Sequence, residues 1–113
     1  MKIKEKMYDD IAVLSVTEEL IGQLESRELH KHINNMISNG IKKFVIDLSE
    51  VKWLSSSGLG VLVASRNIVT EKKGNLKLVG ATEKVQSLLA LTQLIQLFEI
   101  TDTVKQAIAS FKS

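Results

Sequence analysis

Apolar side chains recur along this chain with two different periods, and the switches between them lay out its elements. Ile11, Ala12, Val13, Leu14 and Val16 make a nearly continuous apolar run of strand length, preceded by the weaker strand candidate Met1 to Tyr8. Asp9-Asp10 between them suits a tight turn, so the pattern predicts an antiparallel hairpin. Leu29, Ile33, Met36 and Ile37 then share one face at helical spacing. Ser26 is the expected cap of this first helix. Asn39-Gly40 is its expected stop, because both residues tolerate the left-handed conformation of a helix end. Phe44-Val45-Ile46-Asp47-Leu48 is short, β-rich and apolar, the pattern of a strand buried on both faces.

The second half repeats this alternation. A helix is expected from about Ser57 to Lys73, stopped by Gly74, and Leu76 to Val79 reads as another buried strand. Thr82 caps a third helix through Val85, Leu88 and Leu89, and Leu97 to Ile100 is a short last strand. Thr103 to Phe111 closes the chain as a helix with Val104, Ala107, Ile108 and Phe111 on one face. The order β-β-α-β-α-β-α-β-α defines an α/β class: a mixed, mostly parallel β-sheet with packed helices and an antiparallel edge from the hairpin. With no proline, repeat or linker-like stretch, residues 1–113 read as one domain. In such sheets sites gather where strand C-termini run into loops and helix N-termini, which directs attention to residues 49–60.

Composition narrows the function classes. Fifteen basic against 13 acidic side chains give a net charge of +2, without the clustered basic face that nucleic acid requires. Lys2, Lys4 and Lys6, the pair Lys42-Lys43 and the pair Lys72-Lys73 read as solvated strand and helix ends. Cysteine is absent, which removes disulfides, thiolate metal ligands and thiol nucleophiles. The charged N-terminus lacks the apolar core of a signal peptide, and no apolar run approaches membrane-spanning length, so a cytoplasmic location is expected.

Enzyme signatures are missing. No glycine stands two residues before Ser56, as a nucleophile elbow would need, and Gly58-Leu59-Gly60 leads to Val61 where a phosphate loop would have lysine. His30 and His32 point in different directions on a helix and read as ordinary surface histidines, not metal ligands. The run Leu88 to Phe98 lacks the basic face of a membrane-seeking helix and reads as a core-facing helix followed by a buried strand. No catalytic residue, metal site or cofactor is expected, and no direct membrane insertion.

The loop Ser49 to Gly60 is the most informative stretch. A buried strand ends, and Ser55-Ser56-Ser57 stand where a helix begins. One serine suffices to cap a helix, so three in a row invite a second explanation. The N-terminus of a helix carries roughly half a positive charge, and a phosphate there would add about 1.5 to 2 negative charges to a surface loop. Gly58 and Gly60 keep the first turn slim enough for another protein to approach. Trp53, the only tryptophan, is suited either to partner contact or to packing over a helix end.

Val45-Ile46-Asp47-Leu48-Ser49 followed by Ser56-Ser57-Gly58-Leu59-Gly60 resembles the signature of the STAS family, V-x-D-L-S and then D-S-[ST]-G-L-G. The element order fits that family, as do Leu76-Lys77-Leu78-Val79 and Ile100-Thr101-Asp102-Thr103-Val104, so the resemblance spans essentially the whole chain. It implies a STAS domain of the anti-sigma factor antagonist type, a regulator of transcription that binds a partner anti-sigma serine kinase. By position it implies Ser56 as the phosphorylated residue and Ser57 as the helix cap. Trp53, Ser55, Ser57, Gly58 and Leu59 are the expected partner-binding surface. Two positions depart from the family pattern. Ser55 stands where the motif has aspartate, and Ile21 or Gly22 occupies the place of a second acid, near Glu18 and Glu19. An alternative is a non-phosphorylated STAS scaffold or accessory subunit of a transport or signalling complex, in which the serines only cap.

Overall fold

The computed structural model describes residues 3–16, 23–52 and 54–112. Five strands, β1 (Ile3–Tyr8), β2 (Ile11–Val16), β3 (Lys43–Asp47), β4 (Asn75–Val79) and β5 (Glu99–Thr101), lie in one sheet in the order β1-β2-β3-β4-β5. The helices are α1 (Gln23–Ser38), α2 (Ser56–Glu71), α3 (Glu83–Leu91) and α4 (Val104–Lys112). The expected order is observed, with β1 antiparallel to β2 and the remaining neighbours parallel. Tyr8 pairs with Ile11, so Asp9-Asp10 is the complete turn, with Asp9 left-handed at φ +57°.

Strand order explains the layering. Each parallel crossover steps to the next position in the same direction, and right-handed connections then require α1, α2 and α3 to share one face. Ala12, Leu14, Phe44, Ile46, Leu76 and Leu78 from the strands meet Leu29, Ile33, Leu62, Val69, Val85 and Leu89 there in the main core. The opposite face of the sheet is left to α4. Ile11, Val13, Val45, Val79 and Ala107 form a smaller core with Tyr8, Val104, Ile108 and Phe111 packed against it. β2 and β3 are therefore apolar on both faces, as their continuous runs require.

A buried charged residue interrupts the second face. Lys77, only 4% exposed, pairs with Glu99 at 2.6 Å, donates to Ser110 Oγ and lies 4.3 Å from the Phe111 ring centroid. Its stem crosses apolar surface while the ammonium is satisfied on every side, so burial incurs no orphaned charge.

Several boundaries differ from expectation. α1 starts at Gln23, so Ser26 lies inside the helix and is not its cap. α2 ends at Glu71, and Lys73 rather than Gly74 takes the left-handed conformation, at φ +62°. Gly74 has a steric role instead: a Cβ there would stand 2.4 Å from the Lys42 carbonyl oxygen and 2.8 Å from Val69 Cγ1. Leu97 belongs to a 3₁₀ turn (Leu94–Leu97), so the last strand is shorter than expected and only half-buried at its inner positions. Gly40, at φ +88°, and Thr82, whose Oγ1 accepts the Val85 N–H at 3.3 Å, serve as expected.

Candidate functional site

The loop after β3 is held before it reaches the serines. The Leu48 N–H donates to the Val79 carbonyl at 2.8 Å, extending the β3–β4 ladder by one residue. Asp47 Oδ1 accepts the Ser49 N–H at 2.9 Å, and the Val51 N–H closes a turn on the Leu48 carbonyl at 2.9 Å. Leu48, Val51 and Leu54 are buried, so every third position of the loop anchors it to the main core. β4 exits directly against this loop. Gly80 sits at φ +68°, and a Cβ there would lie 2.9 Å from Ser49 Cβ and 3.2 Å from its Cα. Only glycine satisfies both the conformation and the contact. Gly80 was not singled out from the sequence, although glycine just after a buried strand is the signal that marks such an approach.

The helix N-terminus corrects one expectation. Ser55, with φ −78° and ψ 169°, is the N-cap, and its Oγ accepts the Gly58 N–H at 3.0 Å. Its carbonyl accepts the Leu59 N–H at 3.0 Å, the first bond of the helix. Ser57 is thus not the cap but the second helical residue, and Ser56 is the first. The serine in place of the motif aspartate does the capping that aspartate would do, since both present a side-chain oxygen to the same N–H.

The first turn of α2 carries no acidic residue, so nothing within it offsets the positive end of the helix. Gly58 and Leu59 are buried, Leu59 at 7% exposure, and this turn is seated on the core. Gly60 is exposed, and a Cβ there would meet nothing within 4 Å. It is a helical glycine that packing does not require. Trp53 lies outside the described residues, as do Glu18, Glu19, Ile21 and Gly22.

Both histidines are more engaged than surface residues. His30 is half-buried, with Nε2 3.2 Å from the Val61 carbonyl, which ties α1 to the second turn of α2. His32, also half-buried, meets Glu5 of β1 through Nδ1. Among the described residues no group of three or more His, Cys, Asp and Glu side chains could hold a metal ion. Among those residues, also, no helix is long and apolar enough to cross a membrane.

A five-stranded mixed sheet with three helices on one face and one on the other, and a serine-capped helix leaving the central strand, is the architecture of one family of α/β domains. The STAS domain family profile matches residues 2–107, and the chain belongs to that family. A Thermotoga maritima protein provisionally named an anti-sigma factor antagonist is 32% identical over 104 residues, 90% of each chain. The crystal structure of a Thermotoga maritima protein given the same provisional name superposes with a TM-score of 0.89 at 27% identity, covering 98% of this chain and 95% of the other. An anti-sigma factor antagonist from Mycobacterium paratuberculosis superposes with a TM-score of 0.84 at 25% identity, covering 99% and 94%.

Proposed function

We propose that this chain is an anti-sigma factor antagonist that binds an anti-sigma serine kinase through the loop at the start of α2 and is switched by phosphorylation of Ser56. The observation that carries the reading is that Ser55 occupies the cap. Capping therefore makes no demand on Ser56, the first residue of a helix end whose first turn is free of acidic side chains. Trp53, Ser55, Ser57, Gly58 and Leu59 form the partner surface, Gly58 and Leu59 setting the shape of its buried edge and Gly60 leaving room beside it.

In the modification step the Ser56 hydroxyl oxygen bonds to the γ-phosphorus of ATP held by the kinase. ADP departs, and the hydroxyl proton passes to a base of the kinase. The product brings about 1.5 to 2 negative charges into a contact that formed without them, so desolvation and repulsion release the partner.

The test is a pull-down of the tagged chain from its native organism, with mass spectrometry of the partners and of the Ser55–Ser57 peptide. A serine kinase bound to unmodified protein, with phosphate on Ser56 confined to the unbound pool, is expected. Ser56→Asp should weaken kinase binding by at least about tenfold while Ser56→Ala leaves it nearly intact. Equal effects of the two substitutions would refute a charge switch. A transport or scaffold partner bound to unmodified serines would replace the reading with the accessory role.

A further inference from the structure

A second surface lies on the face of the sheet that α4 covers. The two-residue period of β1 places Lys4, Lys6 and Tyr8 on the face that α4 covers, since Tyr8 packs with Ile11, Val13 and Ala107. Tyr8 adjoins the first residue of β2, whereas the serine loop follows the last residue of β3. Tyr8 with Val104, Lys105 and Ile108 of α4 lines an open groove of about 290 Å³. Its walls are apolar, and all three apolar side chains are half-buried.

The rim is basic in a way the net charge conceals. Asp10 pairs with Lys43, Asp9 with Lys112 and Glu99 with Lys77, while Glu5 turns to the opposite face and meets His32. Lys4, Lys6 and Lys105 are exposed, and among the described residues none of them meets a carboxylate. The Lys6 ammonium stands 5.2 Å from the centroid of the Tyr8 ring that lines the groove.

We infer that this groove is a docking site for an acidic segment of a protein partner, one aromatic or aliphatic side chain entering between Tyr8 and α4 while flanking carboxylates pair with Lys4, Lys6 and Lys105. The apolar surface is recessed between a strand and a helix, so a side chain reaches it and a flat bilayer does not. Three cations beside apolar walls also lack the extended basic track of a nucleic-acid site. The site is independent of the serine loop, so it stands or falls apart from the kinase reading.

The experiment titrates the ¹⁵N-labelled full chain with a nine-residue peptide alternating glutamate and phenylalanine, and follows amide shifts by NMR. Controls are a glutamate–serine peptide and vesicles of phosphatidylglycerol. Shifts are expected at residues 4–8 and 104–108 and not at 49–60. Combined Lys4→Glu, Lys6→Glu and Lys105→Glu should weaken the affinity by about tenfold, these side chains being exposed and outside the core. Equal binding of the glutamate–serine peptide, shifts centred elsewhere, or indifference to the charge reversals would each overturn the inference. The same shifts produced more strongly by the vesicles would assign the surface to lipid.

Discussion

Replacing Ser55 probes the cap, and a series of substitutions separates its contributions. Ser55 Oγ accepts the Gly58 N–H, and Gly58 is buried, so water cannot easily replace the lost acceptor. Ser55→Ala should therefore lower stability by about 1 kcal/mol, within the 0.5–2 range of such deletions. Over 113 residues, at about 2.1 cal/mol/K of unfolding entropy per residue, that is a fall in Tm of about 4 °C. Ser55→Gly should lose only a few tenths, about 0.3 kcal/mol, because glycine enters the cap conformation readily. Ser55→Asp retains the acceptor and adds a carboxylate at a helix end with no other acid, for a gain of about 0.3–1 kcal/mol. That gain should fade below about pH 4 as the carboxylate protonates. Urea unfolding followed by circular dichroism gives the order directly: Asp, Ser, Gly, Ala. An alanine variant as stable as the parent, or an aspartate variant no better than alanine, would refute the capping argument.

Gly60→Ala should stabilise the fold by about 0.5–1 kcal/mol in the same assay, because it removes a helical glycine where a Cβ meets open space. Weaker kinase binding by this stabler variant would show that the glycine serves the partner; unchanged binding would remove Gly60 from the interface. Gly74→Ala should destabilise by about 2 kcal/mol, since the Lys42 backbone must move. Gly40→Ala, strained at φ +88° but with nothing within 4 Å, should lose about 1 kcal/mol, and the reverse ranking would refute the steric account. The hydrogen bond from Lys43 holds the Asp10 carboxyl below its ordinary value. Because the folded value is depressed, this contribution is present above the unfolded pKa of about 3.9 and is lost as pH falls through the folded value. An NMR titration of the Asp10 carboxyl carbon should show the depression, and Lys43→Met should reduce it, Lys112 and a backbone hydrogen bond keeping the remainder.

The hairpin, the doubly buried β3 and the order of elements were legible because each follows from local period and from a turn residue between periods. Residues whose roles depend on distant neighbours were not. Three consecutive serines satisfy the same capping rule, and only the extended backbone of Ser55 selects it. Gly74 looks like a helix stop from the sequence, yet the atom that forbids a side chain is the Lys42 carbonyl, brought near by β3–β4 pairing. Lys77 interrupts an apolar strand, and its partners Glu99, Ser110 and Phe111 come from the last strand and the last helix. The His30 contact depends likewise on how α1 crosses α2. For the candidate site, the serine loop was readable as a motif, while Gly80 acquires its meaning only where β4 exits against Ser49.

The separate face occupied by α4 has a consequence for the order in which the molecule comes apart. α1, α2 and α3 share a large core, but α4 rests on a small one, and its nine residues bury only Ala107 fully. Its release would bare Ile11, Val13, Val45 and Val79 along one strip while the larger core stays closed. α4 is therefore expected to open before the rest of the fold, and its amides should exchange with solvent before those of β3. The Lys77–Ser110 hydrogen bond and the Lys112–Asp9 pair oppose that opening by different routes. The first works from within the strip and the second from the hairpin turn at its edge.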